Sequence, residues 1–76
     1  MSQLNQNLKF NNINNQQELK LKNGRYIGQV VNGLREGKGI MYYNNGDRKM
    51  GDYLNGSPKG KHIVLIKNGD VNVENY

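Results

Sequence analysis

The chain has no cysteine, so neither a disulfide framework nor a thiolate metal site can hold it together. Ala, Thr and Trp are absent as well, and there is a single proline and a single phenylalanine. Apolar residues make up only 34% of the 76 positions. A domain of this size hides only roughly 60% of its unfolded surface even when well packed. Neither a self-sufficient two-layer globule nor an enzyme with a deep pocket is expected. Residues 1–25 lack the apolar core of a signal peptide, and no stretch approaches the ~18 apolar residues of a membrane span. The sequence reads as cytoplasmic. What remains is a thin module that leans on something else.

Eleven basic residues against six acidic ones give a net charge of +5. The cations stand singly or in short pairs, such as Lys20 with Lys22, Arg48 with Lys49 and Lys59 with Lys61. At strand spacing such charges mark the solvated face of a sheet. A surface for anionic lipid or nucleic acid is the competing reading. Asn55-Gly56-Ser57 matches a glycosylation sequon but reads as a turn, with Pro58 behind it.

The composition breaks near residue 18. Residues 1–17 hold ten Asn or Gln and no Gly, with Leu4, Leu8, Phe10 and Ile13 as isolated apolar points. Such polar tracts bury too little to offset backbone entropy and form a disordered extension. The i,i+4 spacing of Leu4 and Leu8 allows a short docked helix, and a clamp on a partner is the functional alternative.

Residues 18–76 carry all ten glycines, five of them directly after Asn: Gly24, Gly33, Gly46, Gly56 and Gly69. Asn-Gly tolerates positive φ and is the strongest short-range hairpin signal. A period of 23 residues is superimposed: Gly28 recurs as Gly51, Gly33 as Gly56, Gly37 as Gly60 and Gly46 as Gly69. Val30 recurs as Tyr53 and then Tyr76. A repeat of this length signals an array in which each unit packs on its neighbours. Repeats fall at about 26–48 and 49–71, with a partial cap at 72–76. The segments between turns read as six strands, centred on residues 18–22, 25–31, 38–43, 48–54, 61–67 and 70–74. The expected fold is therefore all-β, a single-layer twisted antiparallel meander of hairpins with a polar N-terminal extension.

The pattern Tyr26-x-Gly28-x-x-x-x-Gly33-x-x-x-Gly37-x-Gly39, followed by Asn45-Gly46-Asp47, resembles a MORN repeat, the membrane occupation and recognition nexus motif. The second copy keeps Gly51, Tyr53, Gly56, Gly60 and Gly69, but has Lys49 where the pattern has Tyr and His62 where it has Gly. The third has lost its Gly at Glu74. The resemblance covers residues 24–74. It implies a non-catalytic scaffold tied to cytoskeletal or ciliary assemblies, or a peripheral module that binds anionic phospholipid.

Residues two apart share a strand face, so Tyr26, Gly28 and Val30 point one way, with Gly39, Met41 and Tyr43 as counterparts. Glycine beside an aromatic lets the ring lie across bare backbone. Gly33 and Gly37 are expected to bracket the reversal between strands. Ile27, Val31, Met50, Leu54, Val71 and Val73 share the opposite phase, where Ile40, Tyr42, Ile63 and Leu65 can join them. A single layer cannot bury both faces, so these six are the expected protein-interaction residues, completed by a partner or a second copy. The open trailing edge strengthens that expectation. For a lipid surface the candidates are Arg35, Lys38, Lys59 and Lys61, around equivalent turns of the two repeats.

Catalytic chemistry is not expected. His62 is the lone histidine, read as a satisfied or half-exposed structural residue, with no ligands flanking it. The six carboxylates form no close pair, and Asp47 and Asp70 sit where Asp caps backbone amides. Ser2 and Ser57 have no partner suggesting a nucleophile, and no cofactor or metal is called for. Five Tyr fall at positions that packing explains, so nucleic acid ranks last among partners.

Overall fold

The computed structural model describes residues 16–76. They form one six-stranded antiparallel sheet in which the strands lie side by side in the order of the sequence. The strands are β1 (Gln16–Leu21), β2 (Gly24–Val31), β3 (Leu34–Tyr43), β4 (Arg48–Leu54), β5 (Ser57–Leu65) and β6 (Val71–Asn75). The expected all-β meander is what forms. β1 begins at Gln16, two residues before the expected strand. The expected Leu4–Leu8 helix or clamp lies outside the described residues.

Turn chemistry sets the register. Asn32-Gly33 and Asn55-Gly56 are two-residue hairpin turns with positive φ throughout, 53° and 78° in the first, 51° and 89° in the second. Asn45-Gly46 and Asn68-Gly69 work differently. Asn45 Oδ1 accepts from the Asp47 amide and Asn68 Oδ1 from the Asp70 amide, each at 2.9 Å, giving longer side-chain-braced loops. Asp47 Oδ1 also accepts from the Lys67 amide at 2.8 Å, tying the first such loop to the second.

Gly33 and Gly37 do not bracket one reversal as expected. Residues 34–37 and 57–60 belong to β3 and β5, not to the turns. Gly37 and Gly60, at φ 71° and 73°, sit at irregularities inside these strands, where pairing slips opposite residues 28–30 and 50–52. In the first of these irregularities the freed backbone is satisfied locally: the Lys38 amide donates to Gln29 Oε1 at 2.8 Å.

Cross-strand register divides the side chains between two faces. Tyr26, Met41, Tyr53, His62 and Val64 are buried on the inner face, with Leu19, Val30 and Tyr43 packed against them. Tyr26 is 0% exposed. The edge of the Tyr53 ring and the bare backbone at Gly28 and Gly39 lie against it. The rings lie where glycine leaves room. A Cβ on Gly39 would stand 2.1 Å from the Tyr26 ring, and one on Gly51 would stand 2.7 Å from the His62 ring.

Candidate interaction surface

The inner face is a ladder of edge-to-face rings. Tyr26, Tyr53, His62 and Tyr76 follow one another with centroids 5.2, 5.1 and 5.2 Å apart. Tyr26 donates its hydroxyl proton to the Gln29 carbonyl at 2.8 Å. His62 is 0% exposed, not half-exposed, and its Nε2 contacts the Asp52 carbonyl at 2.7 Å. A carbonyl only accepts, so Nε2 carries the proton. His62 Nδ1 and the Tyr53 hydroxyl are buried without a hydrogen-bond partner among the described residues.

The two departures from the repeat pattern compensate each other. Tyr26 of the first repeat covers Gly39, while at the equivalent position of the second repeat Lys49 extends toward β6 instead. Its ammonium donates to Tyr76 Oη at 2.5 Å and to Glu74 at 3.3 Å, and lies 4.8 and 5.8 Å from the Tyr76 and Tyr43 ring centroids. His62 rises from the next strand and fills the place over Gly51. The aromatic rung is kept by moving it one strand along.

Charge follows this packing. Burial disfavours the Lys49 ammonium, but the bonds to Tyr76, Tyr43 and Glu74 outweigh it and raise its pKa. The Tyr76 hydroxyl and then Lys49 lower the pKa of Glu74. Burial raises Tyr26 and Tyr53, against the opposing pull of Arg35, whose guanidinium sits 4.8 Å above the Tyr53 ring. A raised folded-state pKa favours neutral tyrosine in the fold. Its stabilisation is complete below the free phenol pKa of about 10 and is lost as pH rises through the higher folded values. In an alkaline titration, phenolate absorbance from Tyr26 and Tyr53 should therefore appear only as the circular-dichroism signal of the sheet disappears. Complete phenolate formation in an intact sheet would contradict this.

The outer face carries the uncovered apolar surface. Register places Ile27, Ile40, Met50, Ile63 and Val73 opposite one another from β2 to β6, an unbroken transverse row. At about 4.8 Å per strand the row is roughly 19 Å long. Tyr42, Leu65 and Val71 extend it on one flank. A groove of about 360 Å³ opens beside it, lined by Gln16, Ile27, Ile40, Tyr42, Met50 and the Lys38–Asp52 pair, among others. Val31 and Leu54 sit on this face at the hairpin tips, 52% and 46% exposed. All six sequence-nominated apolar residues thus share one face.

The four nominated cations do not stay together. Lys38, Lys59 and Lys61 stand on the outer face, Lys38 paired with Asp52 at 3.2 Å. Arg35 belongs to the inner face, where it lies over Tyr53 and donates to the Gly56 carbonyl at 2.5 Å. Ile40, Tyr42, Ile63 and Leu65, which the alternation allowed on this face, do lie on it, with Ile40 and Ile63 inside the row. No group of acidic, His or Cys side chains suited to a metal occurs among the described residues, and no helix there could cross a membrane.

Residues 26–48 match the family model of the MORN repeat. The protein carries a MORN repeat. The match spans β2, β3 and the loop that follows, the unit whose glycines and Tyr26 build the first half of the ladder. Residues 49–71 repeat its strand, turn and irregularity positions 23 residues on. No curated protein matches the sequence. MORN repeats are in general non-catalytic and mediate contacts with proteins or membranes; here the match covers residues 26–48.

Proposed function

We propose that the MORN sheet is a non-enzymatic scaffold whose outer face is completed by a protein partner, as a small subunit of a larger cytoplasmic assembly of the cytoskeletal or ciliary kind. The observation that carries this reading is the continuous row from Ile27 to Val73, apolar on every strand it crosses. Scattered apolar residues are ordinary on a surface; a contiguous stripe across a sheet marks a place where another molecule excludes water. Association through such a stripe persists in high salt, because its free energy comes mainly from apolar burial.

A native pull-down of the tagged protein, washed at low and high salt, tests this. One stoichiometric protein should survive the high-salt wash, and Ile63→Glu should remove it. Ile63 is only half buried, so the substitution is expected to cost about 1 kcal/mol of stability while weakening partner capture by roughly a hundredfold, the scale of a central interface residue. Partner capture unchanged by Ile63→Glu would refute the assignment of this face.

Lys38, Lys59 and Lys61 lie on the same face and favour a second reading, contact with anionic lipid headgroups. That contact would fall steeply with ionic strength. Retention on phosphatidylserine vesicles at low salt, lost at high salt and in Lys59→Glu/Lys61→Glu, would favour it over the protein scaffold.

A further inference from the structure

The apolar row of the outer face runs between two lines of cations. In the ladder register, Lys20, Arg25 and Arg48 lie two residues along their strands from the row on one side. Lys38, Lys59 and Lys61 stand on the other side, and all of these cations are exposed. The carboxylates among them are Glu18, 3.6 Å from Arg25, and Asp52, 3.2 Å from Lys38. Glu36 lies nearer the hairpin tips, accepting from the Asn55 amide at 3.0 Å. Cations therefore outnumber carboxylates around the row, however the individual pairs form. Residues 1–15 contain Lys9 and no Asp or Glu, so the chain's own N-terminal segment does not supply the missing negative charge.

Resting on the reading of the outer face as a protein-binding surface, we propose that the row seats one acidic amphipathic α-helix of a partner protein. Its apolar stripe lies on the row and its carboxylates face both cation lines. Two residues of antiparallel strand span about 6.8 Å, so the cation lines stand roughly 14 Å apart across the row. A helix with its side chains is about 10–12 Å across and fills that width. An extended strand takes up only about 4.8 Å and leaves at least one line out of reach. The row's length of roughly 19 Å corresponds to about 13 helical residues at about 1.5 Å each. Helical side chains three and four apart are about 5–6 Å from one another, close to the ~4.8 Å step from strand to strand.

Other occupants fit the same face less well. A second copy of the chain would set cation lines against cation lines. A bilayer meets what protrudes from a protein surface, whereas Ile27, Ile40 and Met50 are half-buried and line a groove of about 360 Å³. A groove takes a ridge, and an amphipathic helix presents one. The flanking cations then steer an acidic partner to the face and fix its orientation, while the apolar row supplies most of the attraction.

Selection of a displayed library of random segments, about 14 residues long, on the full-length protein tests the proposal. Enriched segments should carry apolar residues at i, i+3, i+4 and i+7, with Asp or Glu at the margins of that stripe. Synthetic peptides of these sequences should gain helical circular dichroism on binding. Lys20→Glu/Arg48→Glu/Lys61→Glu should weaken them roughly tenfold at low salt, with a smaller gap at high salt. Ile40→Ser should weaken them at every salt concentration. Enrichment of alternating, extended patterns that Ile40→Ser abolishes would overturn the helix and leave the protein-binding face standing. Enrichment indifferent to both variants, or none at all, would overturn the helix too; partner capture lost with Ile63→Glu would then show that the face itself survives. Retention on phosphatidylserine vesicles without peptide enrichment, or a dimer that Ile63→Glu dissociates, would overturn it in favour of a membrane or a second copy.

Discussion

Gly39→Ala should abolish the native sheet at ordinary temperature. The added Cβ would stand 2.1 Å from the Tyr26 ring, which is 0% exposed and has no room to retreat. Either the ring leaves the core or β2 and β3 separate. Losing a buried aromatic costs about 3–5 kcal/mol, and a fold of about sixty residues holds only roughly 3–9 kcal/mol in total. Gly33→Ala is the informative comparison, because among the described residues its Cβ meets nothing within 4 Å and the left-handed backbone is what the substitution strains. That strain is worth about 1–2 kcal/mol. Thermal melts of the two variants should separate them clearly. A Gly39→Ala melt no lower than that of Gly33→Ala would show that the ring-on-glycine contact does not hold the sheet together.

The second large effect concerns Lys49 and His62 together. His62→Gly removes a fully buried ring and should destabilise the sheet by about 2–4 kcal/mol. Lys49→Tyr alone should also destabilise, by about 1–3 kcal/mol, because a second ring would be driven toward the space over Gly51 that His62 fills. Lys49→Tyr/His62→Gly recreates the Tyr26 and Gly39 arrangement of the first repeat. The double variant should be more stable than the sum of the single losses predicts by about 2 kcal/mol, the coupling expected of side chains that share one site. Additive losses in a double-mutant cycle would mean that the two departures arose independently and do not compensate.

Much of this architecture is legible in the sequence, for identifiable reasons. A backbone that must turn with positive φ leaves a mark, and the 23-residue spacing of glycines announces two equivalent hairpins. The division of faces follows from alternation along β2 and β4, where Tyr26, Gly28 and Val30 point away from Ile27. What the sequence conceals is compensation between strands. Lys49 and His62 each read as a defect in the repeat, because nothing local says that one fills the space the other leaves. Gly37 is legible as a position needing positive φ but not as a strand irregularity, since both uses favour glycine. Alternation allows Ile40 and Ile63 on the outer face, but their alignment opposite Ile27 and Met50 depends on register across the slipped pairings opposite residues 28–30 and 50–52. The separation of Arg35 from Lys38 needs no slip: the two are three positions apart on one strand, and alternation alone puts them on opposite faces.

Each strand here pairs only with the strands before and after it in the sequence. That gives the sheet a mechanical character. A load applied across β1 and β6 acts perpendicular to the strands, and it meets the ladder hydrogen bonds a few at a time instead of all together. The sheet would peel from its edges under modest tension, giving up one strand's length of polypeptide per event, and would rewind by adding each strand to an edge already formed. A part tethered at both ends in this way yields in steps under strain instead of snapping, and recovers its length when the tension is released.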